Sequence, residues 1–483
     1  MKTRNLFLSL FAFAAVCACN KEEVQGTPEV LDADTYVKVN IMATPATRAD
    51  YELGEDYEND VYNGLFLFYD GDDHAVEASG FTWNPGTDGE NVAKSATIKF
   101  PAKANKPTSM LVILNYDPAN ETTYKSSTLT EVKNLLAESL TYSVGSPAKQ
   151  YYTMTNAVYT NDDTNTSDTE DVICEVALTD ANFGKTGTAD GEADAAAPVN
   201  VYVERVAAKV LLDNQITSIV GKTIEFGGSK DVVPVVVGYE VVETPKKGYL
   251  FKKVDPSWDY TGWTKPGDYR SFWASSPALE DPDNYAYIEY KDYTQHTPTD
   301  PIYVFENTTA TTTKVVLAAK LQIAGVDADL VRYNNTYYSL NDFKTLAAEA
   351  VNSVLATSYA AGDLEVVWGK GNAGLTNNYE IVLQHASNTD ANDILKKMTA
   401  MYWNGGRCYY YTEIKHDIPA QAGVVRNHVY KLTFKSIEGM GIPVPSEDLV
   451  IDPETMSEEY YSLNATVNIL SWKIVEQSVD FNN

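Results

Sequence analysis

Short runs of β-branched and aromatic residues, separated by clusters of Asn, Asp, Gly and Pro, recur along most of the chain. Two clear examples cover 65–69 and 110–114, and each runs into a turn sequence that contains Asp. Runs of this length and spacing are typical of β-sandwiches. The 33 tyrosines suit such sheets, because aromatic side chains pair well across neighbouring strands. The pattern therefore predicts an all-β fold.

Two segments have the spacing of helices rather than strands. Thr128 and Glu131 form a capping box, in which each side chain bonds a backbone N–H at the helix start. The apolar positions that follow are Val132, Leu135, Leu136 and Leu140. This spacing predicts one short amphipathic helix packed on the sandwich. A second helix is predicted over 340–355, where the sequence is rich in Ala and periodic.

Near the N-terminus, residues 36–42 alternate like a half-buried strand. Val37, Val39 and Ile41 fall on one face, between more polar neighbours. The first residues of the chain have a different character: a basic start is followed by an apolar run over 6–16 that is too short to span a bilayer. This layout predicts a signal peptide.

The end of that signal predicts lipid attachment. Cys19 follows a small residue and precedes a polar stretch, as the acylated cysteine of a lipoprotein does. Cys17 fits the role less well, because the bulky Val16 comes directly before it. Two or more acyl chains would give the durable membrane anchoring that one chain cannot. The alternative is a plain secretory signal cut nearby.

The C-terminal region contains a second alternating strand, after an acidic spacer. Its apolar face consists of Leu463, Ala465, Val467 and Ile469. Beyond Ile469 the apolar register shifts by one residue, which predicts a bulge or bend between two strand pieces. The sequence leaves open whether this strand completes its own domain's sheet or pairs with another molecule.

The net charge limits the classes of partner that the chain is expected to bind, and the cysteine content limits the disulfides that it can form. With 37 Lys and Arg against 67 Asp and Glu, the formal charge is −30, which repels nucleic acids and anionic lipid headgroups. Beyond the signal region and the acylation candidate Cys19, only Cys174 and Cys408 remain. They could pair in an oxidising compartment, but two separate buried thiols are favoured, since free structural cysteines are commonly buried.

Templates for catalysis, cofactors and metals do not fit. The sequence has no Gly-x-Ser-x-Gly elbow and no phosphate-binding Gly-x-x-x-x-Gly-Lys-Ser/Thr loop. Its five histidines lack the spacing of a zinc site, and 70–73 reads as a solvated turn rather than a calcium loop. The tyrosines of 409–411 alternate across a strand, which favours core packing over a sugar-binding platform. We expect no enzymatic activity, no cofactor and no metal.

The segment 203–212 is a strand rich in Val that contains Arg205 and Lys209. Such charges suggest either groups held at a domain junction or an ordinary edge strand. This segment is one of five that together match a known family. The others are the signal ending at Cys19, the arginine within 46–50, the segment 423–445 and the terminal 460–475. In this order and spacing they resemble the fimbrillins of Bacteroidales, the FimA/Mfa-type pilins also called type V.

The resemblance implies a fold of two transthyretin-like β-sandwich domains with minor short helices. The corresponding division of the chain is 1–19 as lipoprotein signal peptide and lipobox, 20–48 as propeptide with an N-terminal strand, 49–212 as N-terminal domain, 213–445 as C-terminal domain and 446–483 as acidic spacer and donor strand. It also implies an outer-membrane lipoprotein precursor that becomes part of a cell-surface fimbrium. The expected partners are copies of itself, tip and anchor fimbrillins, and an arginine-specific protease.

The resemblance further implies removal of the N-terminal segment by cleavage after arginine, which maps to Arg48 and Ala49. An uncut first strand with an incidental arginine is the alternative. Excision would open a groove with unpaired backbone groups, and the strand containing Leu463, Ala465, Val467 and Ile469 is the candidate that fills a neighbour's groove. A tip or anchor subunit, or a surface glycan-binding lipoprotein, remains an alternative to a stalk subunit.

Overall fold

The computed structural model shows a chain built mainly from β-strands. The residues that the structure describes are 29–32, 35–42, 51–52, 55–82, 95–157, 159–160, 172–185, 196–224, 229–253, 275–279, 281–309, 312–416, 421–453 and 461–472. Within these ranges no helix has the length and apolar character needed to span a membrane.

In the first part of the chain, the described residues form fifteen strands and three short helices. The strands are β1 Thr35–Met42, β2 Tyr51–Glu52, β3 Asn63–Tyr69, β4 Ala75–Thr82, β5 Ser95–Lys99, β6 Ser109–Leu114, β7 Leu136–Ala137, β8 Thr141–Val144, β9 Lys149–Tyr152, β10 Met154–Asn156, β11 Tyr159–Thr160, β12 Val172–Ile173, β13 Val176–Ala177, β14 Phe183–Lys185 and β15 Val199–Arg205 in the described ranges. The helices there are α1 Asp56–Asn59, α2 Glu121–Ser126 and α3 Leu129–Val132.

In the second part, the described residues form longer strands and two further helices. Its described strands are β16 Ala207–Val220, β17 Lys222–Ile224, β18 Lys230–Val242, β19 Thr244–Pro245, β20 Gly248–Tyr249, β21 Tyr285–Ala286, β22 Ile288–Glu289, β23 Pro301–Phe305, β24 Lys314–Ile323, β25 Val326–Asp327, β26 Leu330–Tyr333, β27 Thr336–Ser339, β28 Leu364–Trp368, β29 Glu380–His385, β30 Ala400–Trp403, β31 Arg407–Glu413, β32 Lys415–His416, β33 Gln421–Ala422, β34 His428–Gly439, β35 Ile442–Pro443, β36 Val450–Ile451 and β37 Tyr461–Trp472. The helices are α4 Leu340–Leu355 and α5 Thr389–Leu395.

The first sheet has the order β14-β1-β15-β10-β6-β3-β4, with β13 added to β6 and β5 added to β1. It wraps around one apolar core, in which side chains of β1 and β5 meet those of β3 and β6. The two runs predicted as buried strands are β3 and β6, and they pair directly, with Phe66 opposite Val112. The other face of this pair is covered by α2, α3 and Phe251. The predicted all-β sandwich class is confirmed.

A second sandwich is formed by two sheets that share another apolar core. One has the order β2-β37-β34-β16-β23, and the other has the order β17-β18-β24-β31-β35 with β25 added to β24. Leu212 and Leu432 from the first of these sheets and Leu317 and Tyr410 from the second are all buried in this core.

Between β25 and β31 the chain forms a smaller layer in which helices cover a sheet. The sheet has the order β27-β26-β30-β29-β28, and α4 and α5 pack on it through Phe343, Val351 and Leu395. Helix α4 spans the residues predicted for it. It begins where the Ser339 hydroxyl accepts a hydrogen bond from the Asp342 N–H, and it ends at the left-handed Ala356.

The other predicted helix is shorter than the sequence suggested. The capping box of Thr128 and Glu131 is present, but the helix ends at Val132. The chain then forms β7, which pairs with β20, and the Leu250 N–H donates to the Leu135 carbonyl at 2.8 Å. The apolar residues after Val132 were therefore wrongly assigned to a helix, because strand pairing with a distant segment outweighs local helical spacing.

The segment 203–212 lies at the centre of both sandwiches, not at an edge. Its first half belongs to β15, between β1 and β10, and its second half belongs to β16, between β34 and β23. Arg205 and Lys209 are both buried. The junction interpretation of these charges is confirmed, and the edge-strand alternative is wrong.

The cysteines and the tyrosine run also lie where the favoured interpretations put them. Cys174 and Cys408 are free and buried, and burial raises the pKa of the Cys174 thiol to about 12. Tyr409 and Tyr410 are buried within β31, and the Tyr410 hydroxyl donates to the Gly439 carbonyl at 3.0 Å. Core packing of this run is confirmed.

Candidate assembly site

The predicted assembly residues fall into two groups. Cys19, Arg48 and Ala49 lie outside the described residues. The predicted donor residues, all within the backbone of β37, are Leu463, Ala465, Val467 and Ile469. The candidate assembly site therefore consists of three described strands. They are β1 before the predicted cleavage bond, β2 after it, and the C-terminal β37.

The N-terminal strand β1 lies inside the first sheet and has partners on both edges. One edge pairs antiparallel with β5, where Val37 lies opposite Ile98. The other edge pairs with β14 and then, in parallel, with β15, where Val39 lies opposite Val199. Removing β1 would leave backbone donors and acceptors of β5 and β15 without these partners.

Alternate side chains of β1 enter the first core. Val37 and Val39 are 0% exposed and Ile41 is 9% exposed, whereas Lys38 is exposed. The alternation predicted from the sequence is confirmed. Withdrawal of β1 would thus open a groove whose floor is apolar and whose sides are strand edges.

The C-terminal strand β37 pairs antiparallel with β34 from Tyr461 to Ser471. The buried β34 residues opposite the four predicted donor positions are Ile437, Phe434, Leu432 and Tyr430. The strand therefore completes a sheet of its own chain in this structure. Whether it also serves a neighbour stays a prediction.

The irregularity expected beyond Ile469 lies elsewhere. Pairing continues without a shift from Ile469 to Leu470, and the register shift occurs between Phe434 and Ser436 of β34. The bulge prediction was wrong in position, because the extra residue, Lys435, belongs to the partner strand and not to β37.

The chain just after the predicted cleavage bond meets the end of β37 in the second sheet. The two-residue strand β2 pairs in parallel with the far end of β37, where Tyr51 lies opposite Ser471 and Glu52 lies opposite Trp472. The strand before the predicted cleavage bond thus belongs to the first sheet, whereas the strand after it belongs to the second.

A buried ionic cluster holds the chain just after β2. The Glu58 carboxylate of α1 lies 2.8 Å from the Lys209 ammonium, and the two side chains are 0% and 5% exposed. Arg205 Nε donates to the Glu58 carbonyl at 2.9 Å. Burial lowers the pKa of the Arg205 guanidinium to about 10, and the Glu58 charge acts in the opposite direction. Two sheets and one short helix are joined at this cluster.

A second ionic group lies at the same junction. Arg426 and Glu306 are wholly buried with 2.6 Å between nitrogen and oxygen, and Arg426 also donates to the Leu250 carbonyl at 3.0 Å. Lys252 lies 3.9 Å from Glu204, and burial lowers the pKa of the Lys252 ammonium.

Sequence reasoning did not find Glu58. Under the junction interpretation the cations at 205 and 209 require a buried acid, because an isolated buried charge is costly. The chain has 67 acidic residues. Nothing in the sequence indicates that Glu58, which lies far from 205 and 209 along the chain, is the partner of these cations. The same argument applies to Glu306 as the partner of Arg426.

One group among the described residues has the ligand types for a metal ion. Asp70, Asp72 and His74 offer ligand atoms that all lie within 4.8 Å of one another. Asp70 Oδ1 already accepts hydrogen bonds at 3.0 Å from the N–H groups of Asp72 and His74. Asn105 donates to the other oxygen. These bonds are those of an Asx-type turn, as the sequence suggested.

Comparison with known proteins gives a family match in the C-terminal part. Residues 401–478, which include β34 and β37, match the family model described as "Major fimbrial subunit protein type IV, Fimbrillin, C-terminal". No curated protein matches the sequence.

Solved structures were compared as well. A fimbrilin (FimA) from Porphyromonas gingivalis W83 aligns over 92% of this chain and 98% of its own, with 12% identity and a TM-score of 0.40. The tip fimbrial protein Mfa3 from Porphyromonas gingivalis, with a C-terminal truncation, aligns over 90% of this chain and 99% of its own, with 9% identity and a TM-score of 0.35.

Proposed function

We propose that this chain, which belongs to the fimbrillin family, is a stalk subunit of a cell-surface fimbria that polymerises by strand exchange after proteolysis. The observation that carries the proposal is the position of β1. A strand that precedes a candidate cleavage bond lies between two other strands and contributes Val37, Val39 and Ile41 to a core. Its loss would create an acceptor that only another strand can fill.

Export as a lipoprotein precedes assembly. Acylation at Cys19 tethers the precursor to the outer membrane, and β1 keeps the first sandwich closed while the subunit is exported. The subunit at this stage is inert, because its groove is occupied. Tip and anchor fimbrillins are the other partners of the finished fimbria.

Cleavage between Arg48 and Ala49 then starts polymerisation. The cut separates β1 from the rest of the chain, so that β1 can leave the groove between β5 and β15. A neighbour's C-terminal strand enters in its place and restores the lost backbone hydrogen bonds. Exchange is favoured where the incoming strand buries more apolar surface than β1, since each additional buried CH₂ contributes about 0.8 kcal/mol.

The donor is the strand that carries Leu463, Ala465, Val467 and Ile469. Its alternating pattern matches that of β1, in which small or aliphatic residues occupy every second position. It must first leave β34, so assembly exchanges one antiparallel ladder for another. A tip subunit would accept a strand but offer none, and a glycan-binding lipoprotein would not polymerise.

The test is the substitution Arg48→Ala. The variant should accumulate as a folded, membrane-bound monomer that retains β1, whereas the wild type treated with an arginine-specific protease should yield fibres that begin at Ala49. Electron microscopy and N-terminal sequencing of the fibre subunits measure this. Asp50→Asn is the matched control, since it changes the adjoining sequence but leaves the bond and should assemble normally. Fibres built from Arg48→Ala protein with residues 20–48 still attached would refute the trigger.

A further inference from the structure

The strand β2 occupies the edge of β37 that faces away from β34. Tyr51 and Glu52 pair there with Ser471 and Trp472, at the C-terminal end of β37. The strand β2 is the outermost one in its sheet. Among the described strands, none other than β2 pairs with this edge of β37.

The position of β2 along the chain makes this contact sensitive to processing. Counting from the predicted cleavage bond, Ala49, Asp50 and Tyr51 would be the first three residues of the processed chain. Among the described strands, the backbone pairing on the outer edge of β37 is therefore made by residues that the predicted cleavage turns into a chain terminus.

Before cleavage, the chain that contains β2 is held at both ends. On one side β1 is fixed in the first sheet, with Val37 and Val39 wholly buried. On the other side α1 is fixed by the ion pair of Glu58 with Lys209. Because the chain is fixed on both sides of β2, β2 is already held near β37. Pairing of the two strands therefore carries a smaller entropic cost than it would for a free chain end.

After cleavage, one of the two anchors is lost. A two-residue pairing at a free chain end must then offset the ordering of its own backbone, and such termini fray. The edge of β37 at Trp472 becomes open, and β34 is the one described strand that still pairs with it. The C-terminal end of β37 is thus the end that loosens first.

We propose that cleavage at Arg48 also unlatches the C-terminal strand, because it releases the pairing of Tyr51 and Glu52 with Ser471 and Trp472. This inference rests on the proposed function, since it assigns regulation to the same cleavage and the same donor. One cut opens the acceptor groove in the first sheet and frees the donor strand in the second sheet. An uncut precursor is then blocked as an acceptor and as a donor.

Hydrogen exchange measured by mass spectrometry tests the latch. The amides of β37 in the protease-treated monomer should exchange at least about tenfold faster than in the uncut Arg48→Ala protein. The double variant Arg48→Ala/Glu52→Pro removes a backbone N–H of β2 while β1 stays attached, and its β37 should exchange as fast as in the cut protein. Arg48→Ala/Glu52→Ala keeps that N–H and should behave like Arg48→Ala.

Exchange in α4 and β29, which lie in a different apolar core from β1, serves as the reference for an intact fold in every variant. Equal protection of β37 before and after cleavage would overturn the latch, even if cleaved subunits still form fibres as proposed. Faster exchange in β37 without fibre growth would support the latch and count against the donor role. If the proline variant loses protection in α4 as well, that variant is misfolded, and the comparison of cut with uncut protein is then the test of the latch.

Discussion

A few buried charges at the junction of the two sandwiches contribute strongly to the stability of the fold. Glu58 faces Lys209 and lies beside Arg205, where little water can screen the charges. Removing one member of a buried ionic group is costly, because the remaining charges keep their desolvation penalty and lose their compensation.

Glu58→Gln should therefore lower the free energy of unfolding by about 3–5 kcal/mol, since it leaves two buried cations without this carboxylate. Urea unfolding followed by tryptophan fluorescence measures the loss. Glu138→Gln is the matched control, because its pair with Lys247 is exposed, and it should leave the midpoint unchanged. Lys209→Met added to Glu58→Gln should recover part of the loss. A junction insensitive to Glu58→Gln would contradict the role given to this cluster.

Lipid attachment is also predicted to depend on a single residue, Cys19. Cys19→Ala should abolish incorporation of labelled palmitate and leave the precursor with its signal peptide attached. Cys17→Ala should retain the label, since the residue before Cys17 is too bulky for the acceptor position. Metabolic labelling followed by immunoprecipitation compares the two, and undiminished label in Cys19→Ala protein would refute the assignment.

At the scale of elements, β37 has to satisfy two demands. It completes the second sheet of its own chain, opposite the buried Tyr430, Leu432 and Phe434 of β34. In the proposed fibre it must instead occupy a neighbour's groove. The long pairing with β34 therefore keeps β37 in its own chain before cleavage. The pairing with β2 involves two residues, so it is short enough to be released.

Deleting 463–483 should remove the donor and give subunits that are processed but cannot extend a fibre. These subunits should also unfold at lower urea concentration, because β34 loses its partner along most of its length. Deleting only 473–483 is the control, since it leaves β37 intact and should permit fibres. Electron microscopy after protease treatment distinguishes the two, and long fibres from the larger deletion would show that another segment is the donor.

The sequence predicted elements best where local pattern and burial agree. Helix α4 and strands β1, β3 and β6 were found because their periodicity matches the face they bury. The extension of the short helix beyond Val132 was wrong, because pairing of β7 with β20 depends on a segment far along the chain. The β2 pairing with β37 was invisible for the same reason, since two residues carry no periodicity.

At the scale of the whole molecule, the two sandwiches are joined by more than a linker. Strand β15 of the first sheet leads directly into β16 of the second sheet, and two ionic groups are buried near this crossing. The family resemblance could be drawn from the sequence, because the crossing strand and the C-terminal strands carry its motifs. The arrangement of the junction could not, since its acids come from distant segments.

The continuous crossing strand has a mechanical consequence for a fibre assembled in the proposed way. A pull on the fibre reaches each subunit through the strand held in its groove, beside β15, and leaves through the strand that it lends to the next subunit. Within the subunit the tension passes along the covalent backbone from β15 to β16, and it does not depend on the contact between two separate bodies. At the groove it acts along the strands, so the hydrogen bonds between them are loaded together in shear and are not peeled apart singly.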